Sequence, residues 1–489
     1  MLKRSSAQDY ETVTRSSSRR GGQSNAVERS RPNSKIECAA SVVPTPVGAS
    51  LDSAKTFLKH GHVLSFAVLF LFTIVLYGRP AEFYPSPFTN SIALVIGVIT
   101  LATFLATQFS LESSLTTRTS EVNLVLLLML TGLLSIPLAI DPAIAWQEFS
   151  GTFVRGILIF IVIVNVVRTE ARLKGLLFLA VVTAIALSAG AINEYRLGVM
   201  LTEGYRVSGR GAGLFGNTND MALHLVTIMP ISVAFFFGSR GAPRKILHAA
   251  CAVIMIAGIL LSYSRGAFLG MLVAFVFFAL KIGKRSRFEV AAVFLALFGA
   301  ILLLAPSGYG TRLLSIFIPG LDAEGSADSR RGELLRSLYV ALCHPLLGIG
   351  MGNYQPNMSY RGLVTHNSYT QVASEMGATA VALYTMFLVK PLRKVSVIVR
   401  ETFGVKEKSN FYYLALGLQA SLLVYMVSSF FLSVAYTWNV YYLVGYAVCF
   451  RRIYESDTGE SVVVEKRKRG RIDEAAAPLV DAEQHVAAA

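Results

Sequence analysis

Read from its N-terminus, the chain alternates long apolar runs with short polar turns. Each run is about 16–22 residues, enough for a helix to cross a hydrocarbon core. Such runs stand near 61–77, 90–108, 121–140, 152–168, 174–193, 221–238, 245–263, 266–282, 289–305, 371–390, 411–432 and 436–450. The pattern predicts an all-α integral membrane fold, a polytopic bundle of about 12 transmembrane helices. The runs at 245–263 and 266–282 are nearly continuous and predict a tight hairpin. Three stretches break the rhythm. Residues 1–60 and 451–489 are polar, low in aromatic residues and without apolar periodicity, and are expected to be disordered cytoplasmic tails around a membrane domain at 61–450. Residues 306–370 form a long loop between two runs.

Composition sharpens this picture. Of the 489 residues 53% are hydrophobic and only 15% charged, where a soluble chain carries roughly a quarter. The net charge of +15 does not point to nucleic acid, because the basic residues sit in turns and tails. Arg240, Arg244 and Lys245 follow one run, Lys281, Lys284, Arg285 and Arg287 another, and Lys390, Arg393, Lys394 and Arg400 a third. With the N-terminus inside, all of these turns are cytoplasmic, as the positive-inside rule requires. Every lysine falls on that side, and the basic residues on the other side are all arginines. Arginine offers a planar fork that grips phosphate at two points, whereas lysine is a point charge. Cys38, Cys251, Cys343 and Cys449 are scattered without a CxxC or a paired histidine, so no metal site is expected.

Three segments on the arginine side carry candidate chemistry. The first runs from Arg206 to Asp220 and includes Arg210, Gly213, Gly216, Asn217 and Asn219. Its turn formers suit an anion-binding nest, and Asn217 or Asn219 is placed to cap the next helix. The second is Ser262-Tyr263-Ser264-Arg265-Gly266. A charge so near hydrocarbon is costly unless it faces a polar cavity or a partner, which marks Arg265 as a functional candidate. The third is the long loop. It holds Asp328-Ser329-Arg330-Arg331-Gly332-Glu333, with Leu334, Leu335, Leu338, Tyr339 and Leu342 at helical spacing, and predicts an amphipathic helix on the outer leaflet. Next come Gly348-Ile-Gly-Met-Gly352, which lacks the βαβ context of a nucleotide loop, and Thr365-His366-Asn367-Ser368-Tyr369 at the mouth of a run. An imidazole there can take a proton near neutral pH. Glu375 lies about two helical turns further on.

Taken in order, Gly213-Leu-Phe-Gly-Asn-Thr-Asn219, Ser264-Arg265-Gly266, His344-Pro-Leu-Leu-Gly-Ile-Gly350 with Asn353-Tyr354, and Thr365-His-Asn-Ser-Tyr369 with Glu375-Met-Gly377 resemble the O-antigen ligase superfamily. That superfamily also holds Wzy-type polymerases and bacterial protein O-oligosaccharyltransferases. Thr218 stands where the family often has proline. The resemblance implies a metal-independent, cofactor-free glycosyltransferase at the outer face of a bacterial inner membrane. Its donor would be a glycan on polyprenyl (undecaprenyl) diphosphate. Its acceptor would be lipid A core, a growing glycan or a protein. It further implies that Arg210 and Arg265 hold the diphosphate, that His366 is the general base, and that Asn217, Asn219, Ser264, Asn367 and Glu375 support them.

The residues suit that chemistry on their own terms. Attack at an anomeric carbon needs an activated hydroxyl and stabilisation of the departing diphosphate, which fixed arginines supply in a low-dielectric site. No DxD-type carboxylate pair is found on the arginine side, Asp322-Ala-Glu324 being the nearest approach. A lipid-glycan flippase is the competing class; it would show internal repeats and polar groups at the bilayer midplane, and neither is evident. The motifs do not separate ligase, polymerase and protein oligosaccharyltransferase. The orientation is checked by cysteine labelling from outside the cell. A cysteine at Asn357 should react with a membrane-impermeant reagent, and cysteines at Ala242 and Gly404 should not; labelling of Gly404→Cys would invert every assignment.

Overall fold

The helices begin where the sequence provides caps. A computed structural model describes residues 61–199, 206–207, 217–282, 288–289, 292, 295–296, 299, 309–310, 325–405, 411–459 and 461–462, all within one unit, Ser53–Ala489. Its long helices are α1 (Val63–Gly78), α2 (Pro87–Glu112), α3 (Ser120–Ser135), α4 (Pro142–Val166), α5 (Glu170–Arg196), α6 (Thr218–Gly238), α7 (Ala242–Leu261), α8 (Arg265–Ile282), α9 (Ser326–Cys343), α10 (Ser368–Glu401), α11 (Phe411–Phe431) and α12 (Trp438–Thr458). The side chains of Ser86, Thr119, Asp141, Thr169, Asn217 and Asn367 accept the first free amides of α2, α3, α4, α5, α6 and α10. No β-strand occurs among the described residues.

Nine helices among the described residues are long and apolar enough to cross a membrane. Of the other expected spans, α1 has only 16 residues. Helix α12 carries Arg451, Arg452, Glu455 and Asp457 near its end. The span expected at 289–305 lies largely outside the described residues, as do the tail at 1–60 and Asp322 and Glu324. Helix α12 runs to Thr458, so the boundary placed at 450 falls inside it. The reason is that Arg451 is buried and ion-paired rather than solvated. Two other ends also differ. Helix α4 starts ten residues before the expected 152, through a π turn at Phe149–Phe153. Helix α10 continues past Pro391, so Lys394 and Arg400 extend the helix instead of lying in a loop.

Helices α6 and α11 form the centre. In each, 72% of the apolar window is buried, against 17% for the peripheral α2. Helix α6 packs on α7 and α11, α8 packs on α11, and α10 packs on α3, α9 and α11. Small residues permit the close approach, since a Cβ on Gly270 of α8 would stand 2.2 Å from the Ser428 hydroxyl of α11.

The same three helices carry motif residues at one end and basic residues at the other. Helices α6, α8 and α10 begin at Asn217, Arg265 and Asn367, and end towards Arg240, Lys281 and Lys394. At the basic end the fully buried Glu121 pairs with Lys394 at 2.8 Å and with Arg451 at 3.5 Å, tying α3, α10 and α12 together. At the motif end α10 is broken at Gly377, with φ 87° and ψ 178°. The amides of Ile349 and Gly350 donate to the carbonyls of Ser374 and Glu375, both at 3.0 Å, and the amide of Ala378 donates to Pro345 at 2.7 Å. A Cβ on Gly348 would lie 2.3 Å from the Glu375 backbone, and one on Gly377 would lie 2.2 Å from the Leu346 carbonyl. Both have positive φ, so both positions require glycine for shape and for space. The glycine-rich segment is therefore a plug in a broken helix. Gly377→Ala should lower the thermal unfolding midpoint markedly, by at least the roughly 1–3 kcal/mol of a strained backbone. Gly404→Ala, with open space around it, should leave it unchanged, and equal midpoints would refute this role.

Candidate functional site

The α7–α8 hairpin turns through Ser262, Tyr263 and Ser264. The Ser262 hydroxyl donates to Ile259 at 2.6 Å and accepts the Ser264 amide at 3.2 Å. Tyr263 takes a left-handed φ of 51°, which lets α8 start at Arg265. That arginine is 8% exposed. Buried Arg206 joins the first segment to the second: its Nε donates to the Ser262 carbonyl at 2.9 Å and its Nη2 to Asn219 Oδ1 at 2.8 Å. Asn217 is the cap of α6 and accepts the Asn219 amide at 2.9 Å.

His366 sits on a second turn, with φ 51°. Asn367 Oδ1 accepts the amides of Tyr369 and Thr370, both at 2.9 Å, and so starts α10. Both turns are fastened to the end of α11 and the link that follows it. The Ser428 hydroxyl donates to Gly266 at 3.1 Å, beside Arg265. The Ser368 hydroxyl donates to Leu432 at 2.7 Å and accepts the Val434 amide at 3.0 Å. The hydroxyls of Thr365 and Ser433 lie 2.7 Å apart.

Between the turns lies a cavity of about 200 Å³. Its polar lining is Arg265, Arg330, Arg331, His366 and Asn367, and its apolar lining includes Phe430 and Phe431. No acidic residue lines it among the described residues. Asn367 is 1% exposed, and its Nδ2 has no hydrogen-bond partner. Burial, and then the charge of Arg330, lowers the His366 pKa to about 4. The imidazole is thus neutral at physiological pH and free to accept a proton. Arginine cations, an unsatisfied amide donor and a neutral base in one apolar-walled space suit an anion beside a proton to be removed.

Residues 250–385 match the O-antigen ligase family model. The match runs from the middle of α7 to the middle of α10. It takes in every polar residue of the cavity and supports the O-antigen ligase and Wzy-type superfamily. A search of curated proteins finds no match for the chain.

Within the matched region the structure brings Arg265, His366 and Asn367 together. Asn217 and Asn219 stand on the Arg206 side, and Ser264 is buried in the hairpin turn. Glu375 lines a different cavity, next to the first. Arg210 lies outside the described residues. Sequence reasoning missed Arg206 as a clasp, Arg330 and Arg331 as cavity residues, and the whole of 428–434. Arg330 and Arg331 did carry a signal, being adjacent arginines on a predicted amphipathic helix. The 428–434 segment carried none, because it reads as the end of an apolar run.

The depressed His366 pKa gives a pH prediction. A base works only when unprotonated, so the acid limb of kcat/KM should lie near pH 4 and not near 6.5. Arg330→Gln removes a cause of the lowering and should move that limb upward. An NMR titration of His366 checks both, and a midpoint of 6.5 in the unaltered protein would contradict the assignment.

Proposed function

We propose that the chain is a glycosyltransferase that moves a glycan from a polyprenyl diphosphate to an acceptor hydroxyl at the periplasmic face, as an O-antigen ligase or a surface-polysaccharide polymerase. The observation that carries this reading is that Arg265 and His366 line one cavity. The acceptor oxygen attacks the anomeric carbon and the bond from that carbon to the diphosphate oxygen breaks. The departing diphosphate keeps the electron pair, and His366 takes the hydroxyl proton. Arg265, with Arg330 and Arg331 of α9, stabilises the charge that grows on the diphosphate. A bound diphosphate also favours protonation of the imidazole beside it, so the base strengthens once the donor is in place.

Helix α9 fits this location. Glu333, Ser337 and Val340 are buried, with the Ser337 hydroxyl on Thr370 at 2.9 Å and the Tyr354 hydroxyl on Glu333 at 2.7 Å. Leu335, Leu338, Tyr339 and Leu342 are exposed on the helix. In our reading they rest in the outer leaflet, where a polyprenyl chain would reach the cavity.

With purified protein and a lipid-diphosphate donor, Arg265→Ala should lower kcat/KM by about 100-fold or more. Arg265→Lys keeps the charge without the fork and should recover only part of the activity. His366→Ala should cut kcat by roughly 10²–10⁴ and leave donor KM nearly unchanged, because a base acts in the transition state. A chelator should have no effect. Full activity in His366→Ala, or strict dependence on Mg²⁺ or Mn²⁺, would overturn the reading.

A further inference from the structure

The second cavity is larger, about 340 Å³, within the range of small-molecule sites. It shares the Thr365–Asn367 turn with the first: Thr365 lines the larger space, and His366 and Asn367 line the smaller. The chemistry of the two is opposite. The larger holds Glu148 and Glu375 among glutamine, tyrosine and hydroxyl side chains, and no basic residue among the described residues. A phosphate would meet two acidic side chains there and no described cation to offset them.

Glu375 is built into this space with care. It is 3% exposed, and its Oε1 accepts the Tyr354 amide at 3.4 Å. Its Oε2 makes no well-formed hydrogen bond among the described residues, although the Gly352 amide and the Tyr436 hydroxyl approach the carboxyl group. That hydroxyl is itself without a well-formed bond. A buried carboxyl oxygen whose donors are poorly aligned keeps capacity for a hydrogen bond from a ligand or water. The backbone around it is arranged to hold it. Glu375 stands two residues before the break at Gly377, and its carbonyl is taken by the Gly350 amide. Glu148 directly precedes the π turn of α4, and a Cβ on Gly352 would lie 3.3 Å from its Cβ. Asn353 secures the same wall: its Oδ1 accepts the Asp141 amide at 2.8 Å. The glycine plug therefore fixes both carboxylates on one cavity.

We propose that this cavity is the acceptor pocket, and that it takes a neutral, hydroxyl-rich sugar whose hydroxyl donates to Glu375 Oε2. The proposal rests on the transferase reading above and adds the class of acceptor. Carboxylates and side-chain amides are the groups that accept from and donate to sugar hydroxyls, and the rings of Tyr354 and Tyr436 offer apolar faces to sugar C–H groups. Thr365 of this cavity directly precedes His366 of the arginine-lined one, so the two spaces meet neighbouring residues of one turn.

The test is saturation-transfer NMR on the full chain in lipid nanodiscs. The probes are the methyl glycosides of glucose, galactose, mannose, rhamnose and N-acetylglucosamine, and separately inorganic pyrophosphate. At least one glycoside should bind the unaltered protein. Glu375→Gln should weaken it about tenfold or more, as loss of a charged hydrogen-bond partner does, and leave pyrophosphate binding unchanged. Arg265→Ala should do the reverse. Glu148→Gln carries the same expectation as Glu375→Gln should the latter fail to fold. No glycoside bound, or glycoside binding in both glutamine variants as tight as in the unaltered protein, overturns the proposal. Saturable Mg²⁺ binding abolished by Glu375→Gln also overturns it, in favour of a cation site. Failure of the pyrophosphate arm alone refutes the diphosphate reading and leaves the sugar pocket standing.

Discussion

The Ser428 hydroxyl donates to the carbonyl of Gly266 at 3.1 Å, and the Val434 amide donates to the hydroxyl of Ser368 at 3.0 Å. These bonds place one short link of chain against the first turn of α8 and the first turn of α10. Arg265 precedes the first contact by one residue, and His366 precedes the second by two. The cation and the base come from parts of the chain that are otherwise independent. Their meeting depends on this segment, whose Phe430 and Phe431 line the same cavity.

A charged side chain at the edge of a membrane domain is costly unless its surroundings are polar or paired. The chain handles its two ends differently. At the basic end Glu121 neutralises Lys394 and Arg451, and the result is a lock among three helices. At the motif end the cavity gathers arginines without an acidic residue among the described residues. Helix α9 brings two of these arginines. The neighbouring cavity has the converse composition, with carboxylates and no cation. Opposite polarity on the two sides of one turn would sort a charged donor from an uncharged acceptor before any chemistry begins.

Much of the fold was legible because membrane helices follow composition closely. Most of the apolar runs, the hairpin at Ser262–Ser264 and the helix at Ser326–Cys343 stand where the pattern put them. The errors have identifiable causes. Trp146, Gln147 and Glu148 interrupt the apolar run, so the first turns of α4 went unseen. Pro391 and the lysines around it looked like a helix end, yet the helix continues. Gly348, Gly350 and Gly352 were read only as a segment without the βαβ context of a nucleotide loop, although they plug the break at Gly377, which is invisible until the two segments meet. At the site, Arg265 and His366 were readable as charges at span mouths. Ser428 acts on Gly266 from 162 residues away, and nothing in a Ser-Ser-Phe-Phe run announces that contact. Arg206 was visible only as one basic residue among several, and its value lies in reaching Ser262 and Asn219 at once.

The central claim is that the arginine-lined cavity holds the diphosphate of a lipid-linked donor while His366 serves the transfer step. Native mass spectrometry of the full chain released from nanodiscs containing undecaprenyl diphosphate tests it most directly. The unaltered protein and His366→Ala should both retain the lipid, and Arg265→Ala should lose it. Retention by Arg265→Ala at the level of the unaltered protein would contradict the account.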